Sequence, residues 1–314
     1  MVTVEPGVLP EAPNPSPVRL RKSALLKDSA SYKTFTVFNI VFMFVIMFIT
    51  LYPFLNIVAQ SFSSEGYINS GQVSLIPRGF NVETYKVVMA DSMFWTNYKN
   101  TVVYTVVGTA IALVMTTMFA YALAKRQLRG RNVFIMIAVF TMFFNGGLIP
   151  NYVLINALGF KNTIWAIVLP GAISIFNLLV MKSFFEAMPE ELEEAAAIDG
   201  LSTYGTLFRI VLPLSKAVLA TMLLFYAVSF WNSWFSAFLY MDKRELYPVT
   251  VYLRNLIKGA ETAATSGGGA GEVAAVAANI QSVTMVLTVL PIIMLYPFIQ
   301  KYFVSGVMLG AVKG

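Results

Sequence analysis

Long apolar runs without Asp, Glu, Lys or Arg dominate the pattern along this chain. Because an α-helix rises about 1.5 Å per residue, about 20 residues are enough to cross the ~30 Å hydrocarbon core of a bilayer. Each of the long runs reaches that length. The pattern predicts an all-α membrane protein with six transmembrane helices, in residues 34–64, 100–124, 132–160, 162–181, 217–241 and 273–300.

The polar segments between these runs predict the remaining organisation. Residues 1–33 carry several prolines among polar residues, so we expect a disordered cytoplasmic tail before a six-span domain at 34–314. Residues 65–99 are rich in aromatic side chains and are expected to form an external loop on the membrane surface. Residues 242–272 form a second external loop, whose end, "TSGGGAGE", is expected to be flexible.

Composition and charge narrow the functional classes. The chain is 57% hydrophobic and 12% charged, whereas a soluble domain has about 25% charged residues. It contains no cysteine and no histidine, which excludes disulfides, thiolate chemistry and imidazole-dependent metal sites or triads. The net charge of +6 does not indicate nucleic-acid binding, because the cations lie beside apolar segments and form no basic face with interleaved aromatics.

Ion-driven carriers and membrane-embedded enzymes are both disfavoured, because the apolar runs lack acidic and basic side chains. The runs contain no ionisable Asp, Glu, Lys or Arg of the kind that ion-coupled carriers place at membrane depth. Sodium sites made only of carbonyls and hydroxyls stay open, so an ion-driven carrier remains an alternative. A membrane-embedded enzyme is the least favoured reading, because no acid–base pair can be assembled. The chain also lacks a P-loop, so any ATP must be bound elsewhere.

The positive charges predict the orientation. The short turn at 125–131 carries four cations and no acid, and short loops with excess Lys and Arg stay on the cytoplasmic side. Both termini are then cytoplasmic in a multi-pass protein of the cytoplasmic (inner) membrane. The polar segment at 186–216, between the fourth and fifth runs, is also placed in the cytoplasm.

This cytoplasmic segment predicts a helix, a turn and a second helix. Pro189 and the glutamates after it favour a helix start, because proline fits a first turn and negative charge complements the N-terminal dipole. Gly200 predicts the end of that helix, since glycine readily adopts the left-handed conformation. Ser202 is the predicted N-cap of a second short helix that stops before Pro213.

One face of the first helix is expected to be low and acidic. Residues three and four apart share a helix face, and this face would carry Leu192, Ala195, Ala196 and Asp199. From the residues alone, the segment is either an amphipathic connector on lipid headgroups or a docking surface for a protein groove. Its acidity favours docking, because an anionic leaflet attracts basic segments.

The same segment contains Glu194-Ala195-Ala196-x-x-Asp199-Gly200 and, after nine intervening residues, Ile210-x-Leu212-Pro213. This pattern resembles the EAA loop of the permease subunits of binding-protein-dependent ABC importers. The stretches "LIPRGFNVETYKVV", "AYALAKRQLRGRNVF", "SFWNSWFSAFLY" and "KYFVSGVMLGAVKG" are similar to the carbohydrate-uptake branch and to the second maltose permease subunit. "FFNGGLIPNYVLINALGF" resembles the subgroup for complex oligosaccharides or polysaccharide fragments. The resemblance extends over about residues 35–314, with one departure, Ala217, where the family often has a second proline.

The resemblance implies a type I ABC importer permease fold, with residues 186–216 as a coupling loop. Its helix would dock in a groove of a separate ATPase subunit, where Glu194 pairs with a basic residue and Gly200 makes the turn. The implied partners are a second homologous permease subunit, two ATPase subunits, an external solute-binding protein, membrane lipid and a saccharide. This chain would not be an enzyme and would hold no cofactor itself, because ATP and Mg²⁺ bind to the ATPase.

Six residues are candidates for the substrate path, because sugars are held by aromatic faces, amides and hydroxyls: Trp231, Asn232, Trp234, Asn145, Asn151 and Tyr152. Aromatic residues at the spacings of the fifth run are more often helix-packing or interfacial-belt residues. "NGGLIP" is either irregular backbone lining a cavity or an outer loop. The coupling loop does not report the solute, so a permease for peptides or amino acids remains the alternative.

Overall fold

The computed structural model describes residues 30–265, 278–295 and 297 of the 314-residue chain. Within these residues the chain contains no β-strand, and the predicted all-α class is confirmed. A π-helical turn at Leu207–Val211 and a 3-10 turn at Arg244–Leu246 accompany the α-helices. In chain order the described α-helices are α1 (Ala30–Ser61), α2 (Glu65–Asn69), α3 (Glu83–Ala90), α4 (Ser92–Ala124), α5 (Arg131–Phe143), α6 (Leu148–Ala157), α7 (Trp165–Val168), α8 (Ile175–Glu186), α9 (Glu191–Ile198), α10 (Thr203–Thr206), α11 (Leu212–Leu214), α12 (Lys216–Trp231), α13 (Trp234–Tyr240), α14 (Val249–Thr265) and α15 (Ala278–Leu295).

The chain divides between Tyr52 and Pro53 into two compact units. The described part of the first unit is the beginning of α1, where large apolar side chains such as Phe38 and Ile49 are exposed. The predicted tail at 1–33 lies outside the described residues, apart from the first turn of α1. All contacts discussed below lie within the second unit.

Three helices in the described part of the chain are long and apolar enough to cross a membrane: Ser31–Ser61, Ser92–Ala124 and Ala278–Leu295. Two bent helix pairs raise this number to five if each pair is counted as one span. The predicted count of six therefore stays a prediction. Its physical difficulty is that the third, fourth and fifth apolar runs are each interrupted by a break in the helix.

Helix α4 begins earlier than the second apolar run, which starts at residue 100. The side chain of Asp91 caps it by accepting a hydrogen bond from the Met93 amide at 2.8 Å. Phe94 in its first turn is buried in an aromatic cluster with Tyr98 and Tyr252. This part of the predicted surface loop at 65–99 is therefore core, although Trp95 and other aromatic residues of the loop remain exposed.

The third run forms α5 and α6, which meet at an angle of 113°. The break between them is irregular backbone at Phe144–Gly147, where Gly147 has a φ of +93°. A residue with a side chain is strained at such a φ, so glycine suits this turn. The "NGGLIP" stretch is thus non-helical at its asparagine and glycines and helical from Leu148 onward.

The fourth run forms α7 and α8, separated by residues 169–174. Pro170 has no amide hydrogen to donate and interrupts the helix. The amide of Ser174 donates to the Tyr226 hydroxyl at 3.0 Å, and this hydroxyl is also hydrogen bonded to Thr116 Oγ1 at 2.6 Å. A side-chain hydroxyl therefore satisfies the backbone that the break leaves open.

The fifth run forms α12, which ends at Trp231, and α13, which begins after a break at Asn232 and Ser233. At its other end, α12 meets the helical stretch Thr203–Leu214 at an angle of 85°. Ala217 lies in the first turn of α12. The bend before α12 forms without the second proline that is frequent in the family.

Helix α14 lies in the predicted external loop at 242–272, where no helix was predicted from the sequence. Its start is buried through Val249 and Val251, and the Tyr252 hydroxyl donates to Asp91 Oδ2 at 2.8 Å. The signal was present, because the apolar residues recur at helical spacing over Val249–Ile257. The glycine-rich end of this loop lies outside the described residues.

The core is centred on α4, which packs against α12 and α8. Leu123 of α4, Met181 of α8 and Met222 of α12 are fully buried in one apolar cluster. The cluster extends to Leu207 and Val211 of the π-helical turn. The segment at 186–216 is thereby attached to one end of the helix core.

Candidate functional site

Helix α9 forms the first part of the coupling loop and starts as predicted near Pro189. Glu190 is the N-cap residue, and Glu191, Glu193 and Glu194 lie in the first turn. Carboxylates at this position are stabilised by the partial positive charge of the helix N-terminus. The acidic cluster therefore has a local structural function, independent of any partner.

The turn after α9 follows the predicted glycine-dependent geometry. Gly200 has a φ of +76°, in the left-handed region. The Leu201 amide donates to the Ala196 carbonyl at 2.9 Å, and the Gly200 amide donates to the Ala197 carbonyl at 3.0 Å. This pair of hydrogen bonds is the Schellman motif, which satisfies the last carbonyls of a helix. Asp199 is the C-cap residue and is exposed.

The second helical part starts as predicted but does not stop before Pro213. The Ser202 hydroxyl accepts a hydrogen bond from the Gly205 amide at 3.2 Å and caps α10. The chain then continues through the π-helical turn into α11, which contains Leu212 and Pro213. The Leu212 amide donates to the Leu207 carbonyl five residues earlier, and this wider turn accommodates the proline that would interrupt a regular α-helix.

The two alanines of the predicted docking face lie in different surroundings. Ala196 is 1% exposed, because it packs against its own chain. Ala195 is exposed, and so are Leu192 and Ile198 on the same side of α9. Of the two alanines on the predicted docking face, Ala195 is exposed beside Leu192 and Ile198, whereas Ala196 is covered by its own chain. The docking function of this face stays a prediction.

The carboxylates of the coupling loop also divide into two groups. Glu186, Glu190 and Glu193 form ion pairs with basic side chains that precede the coupling loop in the same chain. Glu191, Glu194 and Asp199 form no ion pair with any residue that the structure describes, and all three are exposed. This division could not be predicted from the sequence, because Lys125 and Arg131 lie more than fifty residues before the carboxylates that they contact.

A cavity of about 600 Å³ lies between the 125–131 turn and the coupling loop. Lys125, Arg126, Glu190, Glu193 and Glu194 contribute charged groups to its wall. None of the six candidate substrate-path residues lines this cavity. The space therefore belongs to the coupling loop and not to the predicted sugar contacts.

The substrate-path candidates of the fifth run have unequal access. Trp231 is buried, its indole N–H donates to the Thr288 carbonyl at 3.2 Å, and its ring contacts Tyr98 edge-on at 5.9 Å. This geometry favours a packing function. Asn232 is exposed, with its amide donating to the Val228 carbonyl at 2.9 Å.

Trp234, in contrast, begins α13 with an accessible indole ring. It is 39% exposed, and the Arg254 guanidinium lies 5.0 Å from its ring centroid and 4.1 Å from that of Phe238. An arginine over aromatic faces is held by cation–π attraction. Aromatic surface and a cation are therefore presented together at this end of α13.

The other three candidates lie around the break between α5 and α6. Asn145 Oδ1 accepts hydrogen bonds from the Gly147 amide at 3.0 Å and from the Asn151 side-chain amide at 3.4 Å. Both asparagines are exposed. Tyr152 is half-buried and stacks on Tyr240 of α13 at 6.1 Å, so α6 and α13 bring the two candidate groups to neighbouring helices.

An ion pair fixes the loop after α6 to the end of α13. Asn162 has a φ of +60° and exchanges hydrogen bonds with Asp242. The Asn162 side-chain nitrogen, Nδ2, donates to Asp242 Oδ2 at 3.1 Å, and the backbone amide of Asp242 donates to Asn162 Oδ1 at 2.7 Å. Lys161 lies 3.1 Å from the same carboxylate. The hydrogen bond from Asn162, and then that from Lys161, lowers the pKa of Asp242.

The described chain thus combines up to five candidate membrane spans, a core centred on α4 and a capped helix-turn-helix at one end of that core. Over residues 128–309 the chain matches the family described as "Binding-protein-dependent transport system inner membrane component". The chain belongs to this family, and the resemblance seen in the EAA pattern is confirmed.

Individual relatives extend the match over nearly the whole chain. The chain is 41% identical to Protein LplC of Bacillus subtilis (strain 168) over 289 residues, which is 92% of this chain and 98% of that protein. It is 36% identical to the polygalacturonan/rhamnogalacturonan transport system permease protein YtcP of the same organism, over 88% of this chain and 97% of that protein.

A solved structure shares the fold. In the crystal structure of a bacterial ABC transporter involved in the import of the acidic polysaccharide alginate, one chain superposes with a TM-score of 0.77 at 34% identity. The match covers 88% of this chain and 98% of that one. The type I permease fold expected from the sequence is therefore the fold of this chain.

Proposed function

We propose that this chain is one of two homologous permease subunits of an ATP-driven importer, and that the two subunits enclose one path for an oligosaccharide. Six spans cross the cytoplasmic membrane: α1, α4, α5 with α6, α7 with α8, α12 with α13, and α15. Both termini and the coupling loop face the cytoplasm, and an external solute-binding protein delivers the saccharide. The names of the relatives support a saccharide, because they refer to polygalacturonan, rhamnogalacturonan and alginate.

The observation that carries this proposal is the free surface of α9. It combines exposed Leu192, Ala195 and Ile198 with the carboxylate of Glu194, which forms no ion pair within the described part of the chain. A cationic and apolar groove complements such a surface, and we propose that a separate ATPase subunit provides it. ATP and Mg²⁺ bind to the ATPase, whose closure moves α9 and converts the spans from an inward-facing to an outward-facing state.

The test uses the full complex, with partner permease and ATPase, in sealed vesicles supplied with the binding protein. We expect ATP-dependent uptake of an oligosaccharide and no uptake of a dipeptide. Oligogalacturonides and neutral arabino-oligosaccharides, compared in parallel, separate uronate substrates from neutral ones. Tight binding of a peptide by the cognate binding protein, with no saccharide bound, would overturn the assignment of a sugar.

A charge-reversal pair tests the function of the coupling loop. Glu194→Lys replaces the proposed partner of a basic ATPase residue with a like charge, and we expect ATP-dependent uptake to fall by about tenfold or more. Glu245→Lys is the matched control, because Glu245 is exposed in the 3-10 turn after α13. Uptake that follows an ion gradient and persists without the ATPase would instead identify an ion-driven carrier.

A further inference from the structure

The basic turn at 125–131, here called the basic loop, contacts the coupling loop through ion pairs. Lys125 Nζ donates to Glu193 Oε2, and Arg126 Nε lies 3.6 Å from Glu190 Oε1. These contacts join α9 to the cytoplasmic end of α4, although the two elements lie far apart in the chain. The positive charge that predicted the orientation of the chain therefore has a specific structural partner.

A second set of ion pairs holds the residues that flank this contact. Arg131 donates through Nη2 to Glu186 Oε1 and through Nε to the Leu123 carbonyl, the latter at 2.8 Å. Lys182 Nζ donates to Glu186 Oε2 at 2.8 Å. Glu186 is thus shared by two cations, and the ends of α4, α5 and α8 are fixed to one another.

The Lys125–Glu193 pair is the part of this network that belongs to α9 and is partly shielded from water. The Lys125 side chain is 29% exposed, and its ammonium lies 4.1 Å from the Tyr121 ring centroid. Tyr121 in turn contacts the Phe185 ring edge-on. Burial lowers the pKa of the Lys125 ammonium, against the opposing effect of the Glu190 charge. A cation in this position needs a carboxylate, because removing one partner leaves a desolvated charge.

The exposed pair between Arg126 and Glu190 differs from it. Both of its side chains are more than 70% exposed, at 78% and 74%, and ion pairs of that kind contribute little. Of these two ion pairs, Lys125–Glu193 is therefore the better shielded, with side chains 29% and 38% exposed. Glu193 and Glu194 are neighbours in the chain, yet of the two only Glu193 forms an ion pair with a residue that the structure describes.

We propose that Lys125 and Glu193 are positioning residues, which pass a displacement of α9 directly to α4. The proposal rests on the proposed function. Without this contact, α9 would act through the four residues that join it to α8, through α10 and α11 into α12, and through the packing of the π-helical turn on the core. With it, the ATPase moves the helix on which α8 and α12 pack, so the core of the permease responds as one body.

The experiment is a charge exchange in the reconstituted complex, with Lys125→Glu, Glu193→Lys and the double variant. The readouts are the ATP hydrolysed per solute transported and the amount of ATPase that remains bound. We expect each single variant to raise the ATP-to-solute ratio by about fivefold with the ATPase still bound, and the double variant to restore it to within about twofold. The isosteric Glu193→Gln gives the same direction of change should a reversal prevent folding.

The matched control is the same exchange in the Lys86–Glu83 pair of α3, whose side chains are both 68% exposed. It should leave the ratio unchanged. The proposal is overturned if Glu193→Gln and the single reversals keep the wild-type ratio of ATP to solute. It is also overturned if the double variant has a ratio no closer to wild type than the single variants. Loss of the ATPase from the Glu193 variants would overturn it as well, because Glu193 would then be a docking residue. A wild-type complex without ATP-dependent uptake would contradict the proposed function instead.

Discussion

Gly200 illustrates at the scale of one residue how the coupling loop turns. An added Cβ would meet no atom within 4 Å, so the requirement for glycine comes from its φ of +76° and not from lack of space. A residue with a Cβ in the left-handed region costs about 1–2 kcal/mol, less for asparagine and more for a β-branched residue. The identity of the side chain therefore decides whether the turn survives.

We expect Gly200→Asn to retain most of the ATP-dependent uptake and Gly200→Val to lose most of it. Asparagine tolerates the left-handed conformation, whereas valine would shift the turn and displace the end of α9. Uptake in vesicles, normalised to the amount of inserted protein, measures the difference. Equal uptake by the two variants would mean that the left-handed turn is not required for coupling.

The residues of the coupling loop were predictable where the rule is local. Gly200 as the end of α9 and Ser202 as the cap of α10 follow from preferences that act within one turn. The burial of Ala196 and the pairing of Glu193 with Lys125 depend on where a distant segment folds back. No pattern within α9 separates Ala196 from Ala195, or Glu193 from Glu194, before that segment is placed.

At the scale of the element, apolar runs and helices do not coincide. An uncharged run ends where a charge appears, but a helix ends where its backbone hydrogen bonds cannot continue. The fourth run is therefore broken at Pro170, and α4 begins before its run because Asp91 caps it. Helix α14 was missed for the opposite reason: its charged residues end the apolar run, although its periodicity is helical.

The ring of Phe230 in α12 lies close to the backbone of α4 and to that of the break after α7. An added Cβ on Gly108 of α4 would lie 2.9 Å from its ring, and one on Gly171, in the break after α7, would lie 3.3 Å from it. Distances below about 3 Å require the neighbour to move, and a buried ring between two backbones has little room. The two glycines thus allow α4, α12 and the break after α7 to approach one another.

We expect Gly108→Ala to lower the midpoint of thermal unfolding in detergent, because overpacking costs about 1–3 kcal/mol and exceeds the gain in helix propensity. Adding Phe230→Leu should recover part of the loss. Gly259→Ala in α14 is the control, since a Cβ there meets nothing within 4 Å. The same small change in both alanine variants would contradict the close approach.

At the scale of the whole molecule, the described chain has two kinds of exposed apolar surface. Side chains of the spans, such as Phe140 on α5 and Val106 on α4, are exposed where lipid or the partner permease is expected. Ile198, Tyr204 and Phe208 are exposed on the coupling loop, at 86%, 65% and 62%. Apolar side chains presented there, beside charged groups, indicate a protein partner.

For this second surface, the positive charges and the EAA pattern predict the side of the membrane and the class of partner. The sequence could not supply the surface itself, because Ile198 is not part of the motif and its exposure follows from the burial of Ala196 on the opposite side of α9. Local patterns also do not identify the solute. Trp231 and Trp234 lie in similar sequence surroundings, but Trp231 is buried and Trp234 is exposed.

Ile198→Asp tests whether this surface is where the ATPase docks. An apolar side chain at the centre of an interface contributes about 1–2 kcal/mol or more, so its replacement by a carboxylate should weaken the retention of the ATPase by about tenfold or more. Retention is measured by co-purification from detergent-solubilised membranes. Ile76→Asp is the matched control, because Ile76 is 75% exposed in the loop between α2 and α3, which precedes the other end of α4. If both variants retain the ATPase equally, the docking surface lies elsewhere on the permease. If only Ile198→Asp loses it, the tip of α9 is the contact through which ATP closure reaches the spans.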